Sequence, residues 1–225
     1  SYITQIGTGN YNEKTSALYT DFSLLTASEE IGRDSADFFR NMLTGNFYSG
    51  YNCLLAAPGS MRDTLLKLMD DEIKKGPSGR IIIKINSLTE RCLIDKLSEA
   101  SCAGVRVDLI VRGICCLLPG VEGKTENIRV TGIVGRYLEH SRVYCFGSGK
   151  DQKLYIASAD WMTRNQRRRI EIACPIYDPD IKKWLGQYLE ILLSDTEKAR
   201  LLTPMGTYVK KAPGKTPPFN SQEYF

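Results

Sequence analysis

The chain matches itself at a constant offset of 150 residues, and this regularity constrains the fold more than any other feature. Ile6-Gly7-Thr8-Gly9-Asn10-Tyr11 aligns with Ile156-Ala157-Ser158-Ala159-Asp160-Trp161, and the register persists to put Lys14 opposite Arg164 and Asp21 opposite Glu171. Both copies read as a strand, a turn of small residues ending in Asn or Asp, an aromatic, a basic loop and a strand with a carboxylate. A period this long does not build a solenoid, so it points to duplicated domains. Small residues in the two turns let backbone N–H groups approach an anion closely, and Lys14 and Arg164 add positive charge beside them. The single histidine, His140, lies 20 residues before Asp160. Its counterpart in the first copy falls upstream of Ser1, which predicts a partner histidine lost by truncation. The opening residues Ser1–Ile6, which read like the middle of a strand, carry the same expectation.

Local signals fill in this frame. Tyr2–Gly7 and Leu18–Leu25 are predicted strands around the polar loop Thr8–Ser16. Thr26 with Glu29 makes a capping-box pattern for a helix to about Leu43, with Gly45 as its stop. Cys53–Ala57 is a short buried strand. Ser60 can cap a helix through Lys75, in which Leu65, Leu66, Leu68, Met69 and Ile73 recur at helical spacing. After the breaker Gly76-Pro77-Ser78-Gly79 the pattern is βαβ. Strand Arg80–Ile85 is followed by a helix capped by Ser87 and Glu90 and running to about Ala103, then by strand Val105–Val111. The near-continuous apolar character of that last strand suits a parallel strand covered on both faces. Strands at Ile128–Val134, Arg142–Phe146, Lys153–Ser158 and Arg169–Ile176 precede an amphipathic helix, Pro179–Leu193. The organisation expected is α/β, with domains at 1–50 and 51–202 and a tail, 203–225, that is loosely ordered or docked on a partner surface.

Charge and cysteine content narrow the class. The balance of 30 basic against 26 acidic residues gives a net charge of +4, which suits an anionic ligand without demanding one. No run of about 18 apolar residues is present and no signal peptide is visible, so a cytoplasmic protein is expected. Seven cysteines, an odd number without metal-ligand spacing, read as reduced core thiols. One histidine with scattered cysteines does not supply a zinc site.

Four segments together resemble polyphosphate kinase of the phospholipase D superfamily. They are Gly7-Thr8-Gly9-Asn10-Tyr11-Asn12-Glu13-Lys14-Thr15 with Leu18-Tyr19-Thr20-Asp21, Leu109-Ile110-Val111-Arg112-Gly113-Ile114-Cys115-Cys116, Glu139-His140-Ser141-Arg142-Val143-Tyr144, and Ser158-Ala159-Asp160-Trp161-Met162-Thr163-Arg164-Asn165. The resemblance covers nearly all of residues 1 to about 202, in order. It implies two phospholipase D-like α/β domains with mixed sheets flanked by helices, facing each other across a cleft, the first one incomplete. It also implies reversible transfer of the terminal phosphate of ATP to inorganic polyphosphate, with ADP as product. The transfer would run through a phosphohistidine in a His-x-Lys segment upstream of Ser1. Mg2+ is implied, with its ligands outside this chain and no metal ligand within it. Further implied are remaining domains of the same chain and a homo-oligomer. Nucleic acid is not expected as a partner, and peripheral membrane association is left open.

Carried over residue by residue, the resemblance assigns Tyr19 and Arg112 to nucleotide binding, and His140 to nucleotide binding and to the second essential histidine. The chemistry agrees. Arg112 stands at the carboxyl end of a predicted parallel strand, where open α/β sheets bind ligands, and guanidinium grips phosphate bidentately. Imidazole titrates near pH 6.5 and can act as general acid or base, with Glu139 or Glu171 as the candidate to orient it. Asn10, Lys14, Arg142, Asp160 and Arg164 are candidates for holding phosphate or polyphosphate, since phosphoryl transfer relies on cations placed around spreading negative charge. The run Arg167-Arg168-Arg169 is a solvated face or an addition to that field. Tyr19 by pattern alone is equally a packing aromatic. Arg142 stands where a His-x-Lys motif has lysine, as in the kinase form. That argues against a phosphodiesterase; the alternatives kept are a phosphodiesterase or nuclease of the superfamily and a non-catalytic polyanion-binding module.

Overall fold

A computed structural model describes residues 1–214 and 217–225. The first 50 residues form β1 (Thr4–Gly7), α1 (Glu13–Ser16), β2 (Tyr19–Thr20), β3 (Ser23–Thr26) and α2 (Glu29–Leu43). The rest opens with β4 (Leu55–Ala57), α3 (Ser60–Ile73), β5 (Arg80–Ile85), α4 (Arg91–Cys102), β6 (Arg106–Val111) and β7 (Ile128–Ile133). It continues with β8 (Leu138–Glu139), β9 (Arg142–Phe146), β10 (Lys153–Ala157), α5 (Thr163–Arg167), β11 (Glu171–Pro175) and α6 (Pro179–Ser194). Last come β12 (Ala199–Leu202), β13 (Tyr208–Lys210) and α7 (Ser221–Tyr224).

Among the described residues, nine strands make one mixed sheet in the order β13-β12-β7-β6-β5-β9-β10-β11-β4. The three central strands β5, β6 and β7 are parallel, as the apolar run in β6 demands, and the flanking pairs are antiparallel. Alternation along β5 sends Ile81, Ile83 and Ile85 into one core with Leu65 and Met69 of α3 and Leu93 and Leu97 of α4. Ile82 faces the other way, into a core with Leu185, Leu189 and Leu192 of α6 and with Ile6 and Ile31 of the first segment. Each of these leucines, fully withdrawn from water, contributes about 2 kcal/mol. Helices thus flank a large mixed sheet on both faces.

The duplication seen in the sequence is present in three dimensions, in the same frame. β1 pairs with β3 so that Ile6 faces Leu24, and β10 pairs with β11 so that Ile156 faces Cys174, each residue 150 further on. Thr8 Oγ1 donates to Asp21 Oδ1 at 2.6 Å, and Ser158 Oγ donates to Glu171 Oε2 at 2.5 Å. Helices α2 and α6 also start 150 residues apart, capped by the side chains of Ser28 and Asp178.

Several boundaries differ from expectation, each for a tertiary reason. The strand expected over Leu18–Leu25 is broken at Asp21-Phe22, because Tyr19–Thr20 pairs with β8 while Ser23–Thr26 pairs with β1. Thr26 is not the cap of α2; its hydroxyl accepts from Ser28 N, and Ser28 accepts from Ile31 N. Ser87 does not cap α4 either. Leu88 N donates to Ile114 O, and Thr89 N and Glu90 N donate to Trp161 O, which holds the segment extended until Arg91. The buried thiols of Cys53, Cys145 and Cys174 are pushed up to about 12 by burial, the behaviour of unreactive core cysteines.

Among the described residues of 203–225, several are tied to the rest of the chain, where a tail loosely ordered or docked on a partner surface was expected. β13 pairs with β12, and Ser221 is buried, its N–H and hydroxyl both donating to Asp195 Oδ2 at 2.7 and 2.8 Å. Asp195 also accepts from Lys198 N and Ala199 N. Burial raises the Asp195 carboxyl, but these hydrogen bonds outweigh it and hold the group below its ordinary value. A depressed carboxyl stabilises the fold fully above the unfolded value and loses that contribution as pH falls through the folded value. Asp195→Ala should therefore lower unfolding free energy by about 2 kcal/mol at neutral pH. Urea titrations should show the difference from wild type shrinking in acid; a gap that is constant with pH would contradict this assignment.

Candidate active site

At the carboxyl ends of β5 and β6, His140 sits in the short link between β8 and β9, and three residues fix the backbone of this link. Thr20 O of β2 accepts from His140 N at 3.3 Å and from Ser141 N at 2.8 Å. Asn86, one residue beyond β5, donates from Nδ2 to His140 O at 3.2 Å. Lys84, on the same face of β5, donates to Ser141 O at 3.0 Å and Ser141 Oγ at 2.9 Å, and pairs with Glu139 at 3.2 Å. Burial pushes the Lys84 ammonium down from its ordinary value, against the opposing pull of Glu139.

The imidazole is oriented by Asp21, from the first segment. His140 Nδ1 lies 2.8 Å from Asp21 Oδ2 and 3.0 Å from Oδ1, and the side chains are 13% and 23% exposed, so solvent reaches this pair in part. A carboxylate can only accept, so Nδ1 carries the proton and Nε2 is the nitrogen left to react. This replaces both expected orienting groups. Glu139 is turned inward to Lys84, Thr20 and Gln222, and Glu171 is engaged by Ser158 and Asn165. Gly9 makes room for the pair: a Cβ there would lie 2.1 Å from Asp21 Oδ2.

Arg142 covers one face of the imidazole. Its Nη1 is 3.2 Å from His140 Nδ1 and 3.1 Å from Nε2, and an atom so nearly equidistant from both nitrogens must sit over the ring, since an in-plane approach would overlap Cε1. The same guanidinium forks onto Asp160 (3.3 and 3.2 Å) and donates to Thr8 O at 3.2 Å. Asp160 in turn accepts from Asn86 N at 2.7 Å. The two turns therefore meet through Arg142, one giving a carbonyl and the other a carboxylate. The Tyr19 ring lies 4.8 Å from the His140 ring, tilted by 40°.

Arg112 follows β6, and its Nε donates to Asn86 Oδ1 at 3.0 Å. It lines a cavity of about 370 Å³ with Tyr19, Arg136, Tyr137 and Glu139. Tyr19 also lines a second cavity of about 240 Å³, with Gly7, Gly9, Asn10, Tyr11 and Asp21. A further cavity, about 800 Å³, includes Arg80 and Arg106 at the opposite ends of β5 and β6 and shares no residue with this cluster.

Of the residues singled out in the sequence, the fold thus brings together Tyr19, Arg112, His140, Arg142 and Asp160. Asn10 borders the second cavity but is exposed. Lys14 and Arg164 are exposed on the short helices α1 and α5, with no side-chain bond into the cluster among those described. Sequence reasoning missed Asp21 as the partner of the histidine, and missed Lys84 and Asn86. The last two left a signal: Lys84 interrupts the apolar run Ile81–Ile85 and Asn86 follows it, at the end of a strand buried on both sides, where polar residues need partners. Nor do the residues present fit Mg2+: Asp21, Glu139, Asp160 and Glu171 are each committed to protein donors, and no cluster of three or more His, Cys, Asp or Glu is found among the described residues. Among those residues, too, no helix is long and apolar enough to cross a membrane.

Known proteins resemble this chain along nearly its whole length. Residues 1–48 match the family model described as polyphosphate kinase C-terminal domain 1, and residues 54–222 the one described as polyphosphate kinase C-terminal domain 2. The polyphosphate kinase of Exiguobacterium sibiricum is 49% identical over 222 residues, covering 95% of this chain and 30% of that protein. That of Synechocystis is 49% identical over 212 residues, covering 92% and 29%. The crystal structure of polyphosphate kinase from Porphyromonas gingivalis matches at a TM-score of 0.92 and 39% identity, covering 99% of this chain and 35% of that one. Nuc, a phospholipase D family member from Salmonella typhimurium, matches at a TM-score of 0.50 and 15% identity over 67% of this chain and 96% of its own, a likeness of fold alone. The chain spans about three tenths of the length of these curated relatives.

Proposed function

Since the chain belongs to the polyphosphate kinase family, we propose that it forms one wall of the catalytic cleft of an ATP:polyphosphate phosphotransferase. The reaction is reversible transfer of the terminal phosphate of ATP to inorganic polyphosphate. It runs through a phosphohistidine in the first copy of the duplicated unit, upstream of Ser1, with Mg2+ held by residues outside this chain. His140 is the second histidine. With Nδ1–H held by Asp21, its Nε2 carries and returns the proton that balances charge on the β-phosphate oxygen of ADP as the bond to the terminal phosphorus breaks and re-forms. Tyr19 and Arg112 bind the nucleotide, while Arg142 keeps positive charge against the ring. The observation that carries the reading is the bond between Asp21 of one copy and His140 of the other, which makes a single site from both. Residues 1–50 and 51–202 are accordingly parts of two facing catalytic domains. The setting is cytoplasmic and the full-length protein a homo-oligomer.

The test uses the full-length enzyme with ATP and a polyphosphate primer. Polymer synthesis accompanied by an acid-labile phosphohistidine that maps outside residues 1–225 is expected. ATP-independent hydrolysis of a bis-aryl phosphodiester, with no polymer made, would overturn the reading in favour of a phosphodiesterase. Arg112→Ala should raise the KM for ATP about tenfold or more, the usual cost of losing one charge-assisted phosphate contact. An unchanged KM would remove Arg112 from the nucleotide site.

A further inference from the structure

Asn86 ties together three residues of the candidate site, Asp160, His140 and Arg112, and it does so from a buried position, 3% exposed. Its N–H donates to Asp160 Oδ1 at 2.7 Å, its Nδ2 donates to His140 O at 3.2 Å, and its Oδ1 accepts from Arg112 Nε at 3.0 Å. A planar amide with one donor edge and one acceptor edge is the side chain that can serve a carbonyl and a guanidinium together. The backbone bond reaches a third group, the carboxylate that grips Arg142.

The contact with Arg112 has a directional consequence. Guanidinium has five N–H donors in a rigid fork. Holding Nε from behind leaves the two terminal nitrogens directed away from Asn86, as the edge available to an anion. Among the described residues, no ion pair of Arg112 with a carboxylate occurs, so its charge is not cancelled locally. An arginine on so long a stem otherwise samples many rotamers, and fixing one of them before a ligand arrives removes part of the entropic cost of binding.

We propose that Asn86 is a positioning residue that aims Arg112 at the nucleotide phosphates and holds it in register with His140, so that the arginine and the imidazole act on one phosphate chain. This rests on the functional reading above. Asn86 itself touches no substrate and works through Arg112.

A double-mutant cycle in the full-length enzyme tests it, with KM for ATP and kcat measured for wild type, Asn86→Ala, Arg112→Ala and the double variant. Asn86→Ala should raise KM about tenfold, with the smaller part of the loss in kcat. In the Arg112→Ala background the same change should raise KM less than about twofold, because the residue it serves is gone. Equal fold-changes in both backgrounds, or no change in KM, would overturn the proposal. Should Asn86→Ala lose its cooperative melting transition, Asn86→Ser leaves a smaller void and still cannot reach Arg112, and the cycle is read on that variant. A wild-type enzyme that makes no polyphosphate defeats the functional reading instead, and is distinguishable because the cycle then has no starting activity.

Discussion

His140→Ala in the full-length enzyme is expected to lower kcat for polyphosphate synthesis about 10³-fold, and Asp21→Asn about 10²-fold, with both proteins keeping the wild-type melting temperature to within a few degrees. The first effect follows from removing the imidazole whose Nε2 is the nitrogen not held by Asp21. The second follows from the tautomer. Asp21 accepts from Nδ1–H at 2.8 Å and from the Thr8 hydroxyl at 2.6 Å. Asparagine has nearly the same shape, but an amide NH2 turned toward Nδ1 donates to it and stabilises the form with hydrogen on Nε2. That exchanges the roles of the two nitrogens with little change of geometry. Steady-state kinetics with added imidazole separate the cases: imidazole should restore part of the rate to His140→Ala and none to Asp21→Asn. Rates within a factor of three of wild type for both variants would remove the dyad from the mechanism.

The 150-residue offset was legible because it is a property of the chain itself, and the fold repeats it in strand register and in the bond from turn hydroxyl to carboxylate. The central parallel strands were legible too, because β6 is apolar at Val107, Leu109, Ile110 and Val111, on both of its faces. Asp21 was not. Its role depends on the chain breaking at Asp21-Phe22, and that break exists because Tyr19–Thr20 pairs with Leu138–Glu139, more than a hundred residues away. No local pattern encodes such a pairing. Glu139 misled for a related reason. Adjacent residues in extended backbone point to opposite sides, so the neighbour of a histidine in sequence is poorly placed to orient its ring. Lys14 and Arg164 illustrate the reverse: the repeat equates them correctly in space, yet equivalence in a repeat says nothing about which positions reach the cleft.

Lys84→Met is expected to destabilise the protein by about 4 kcal/mol, lowering the melting temperature by about 10 °C. The Lys84 side chain is 2% exposed and that of Glu139 4%, so removing the cation leaves a buried carboxylate with only Thr20, Tyr188 and Gln222 as donors. The pair is costly to break singly even though it contributes little relative to an uncharged pair of the same shape. Lys84→Met combined with Glu139→Gln should therefore recover most of the loss, since glutamine keeps an acceptor for Thr20 and carries no charge. The pH dependence provides a second readout. Burial holds the folded Lys84 value below that of an unfolded lysine, so the unfolded chain binds more protons in the interval between them. Wild-type stability thus gains an increment as pH rises from the folded value toward the unfolded one, near 10.4. Lys84→Met should lack that increment in chemical denaturation series run from neutral to alkaline pH. A variant that keeps the same alkaline slope as wild type, or one as stable as wild type at neutral pH, would mean that the ion pair is not what holds Glu139 and Ser141 on either side of the histidine.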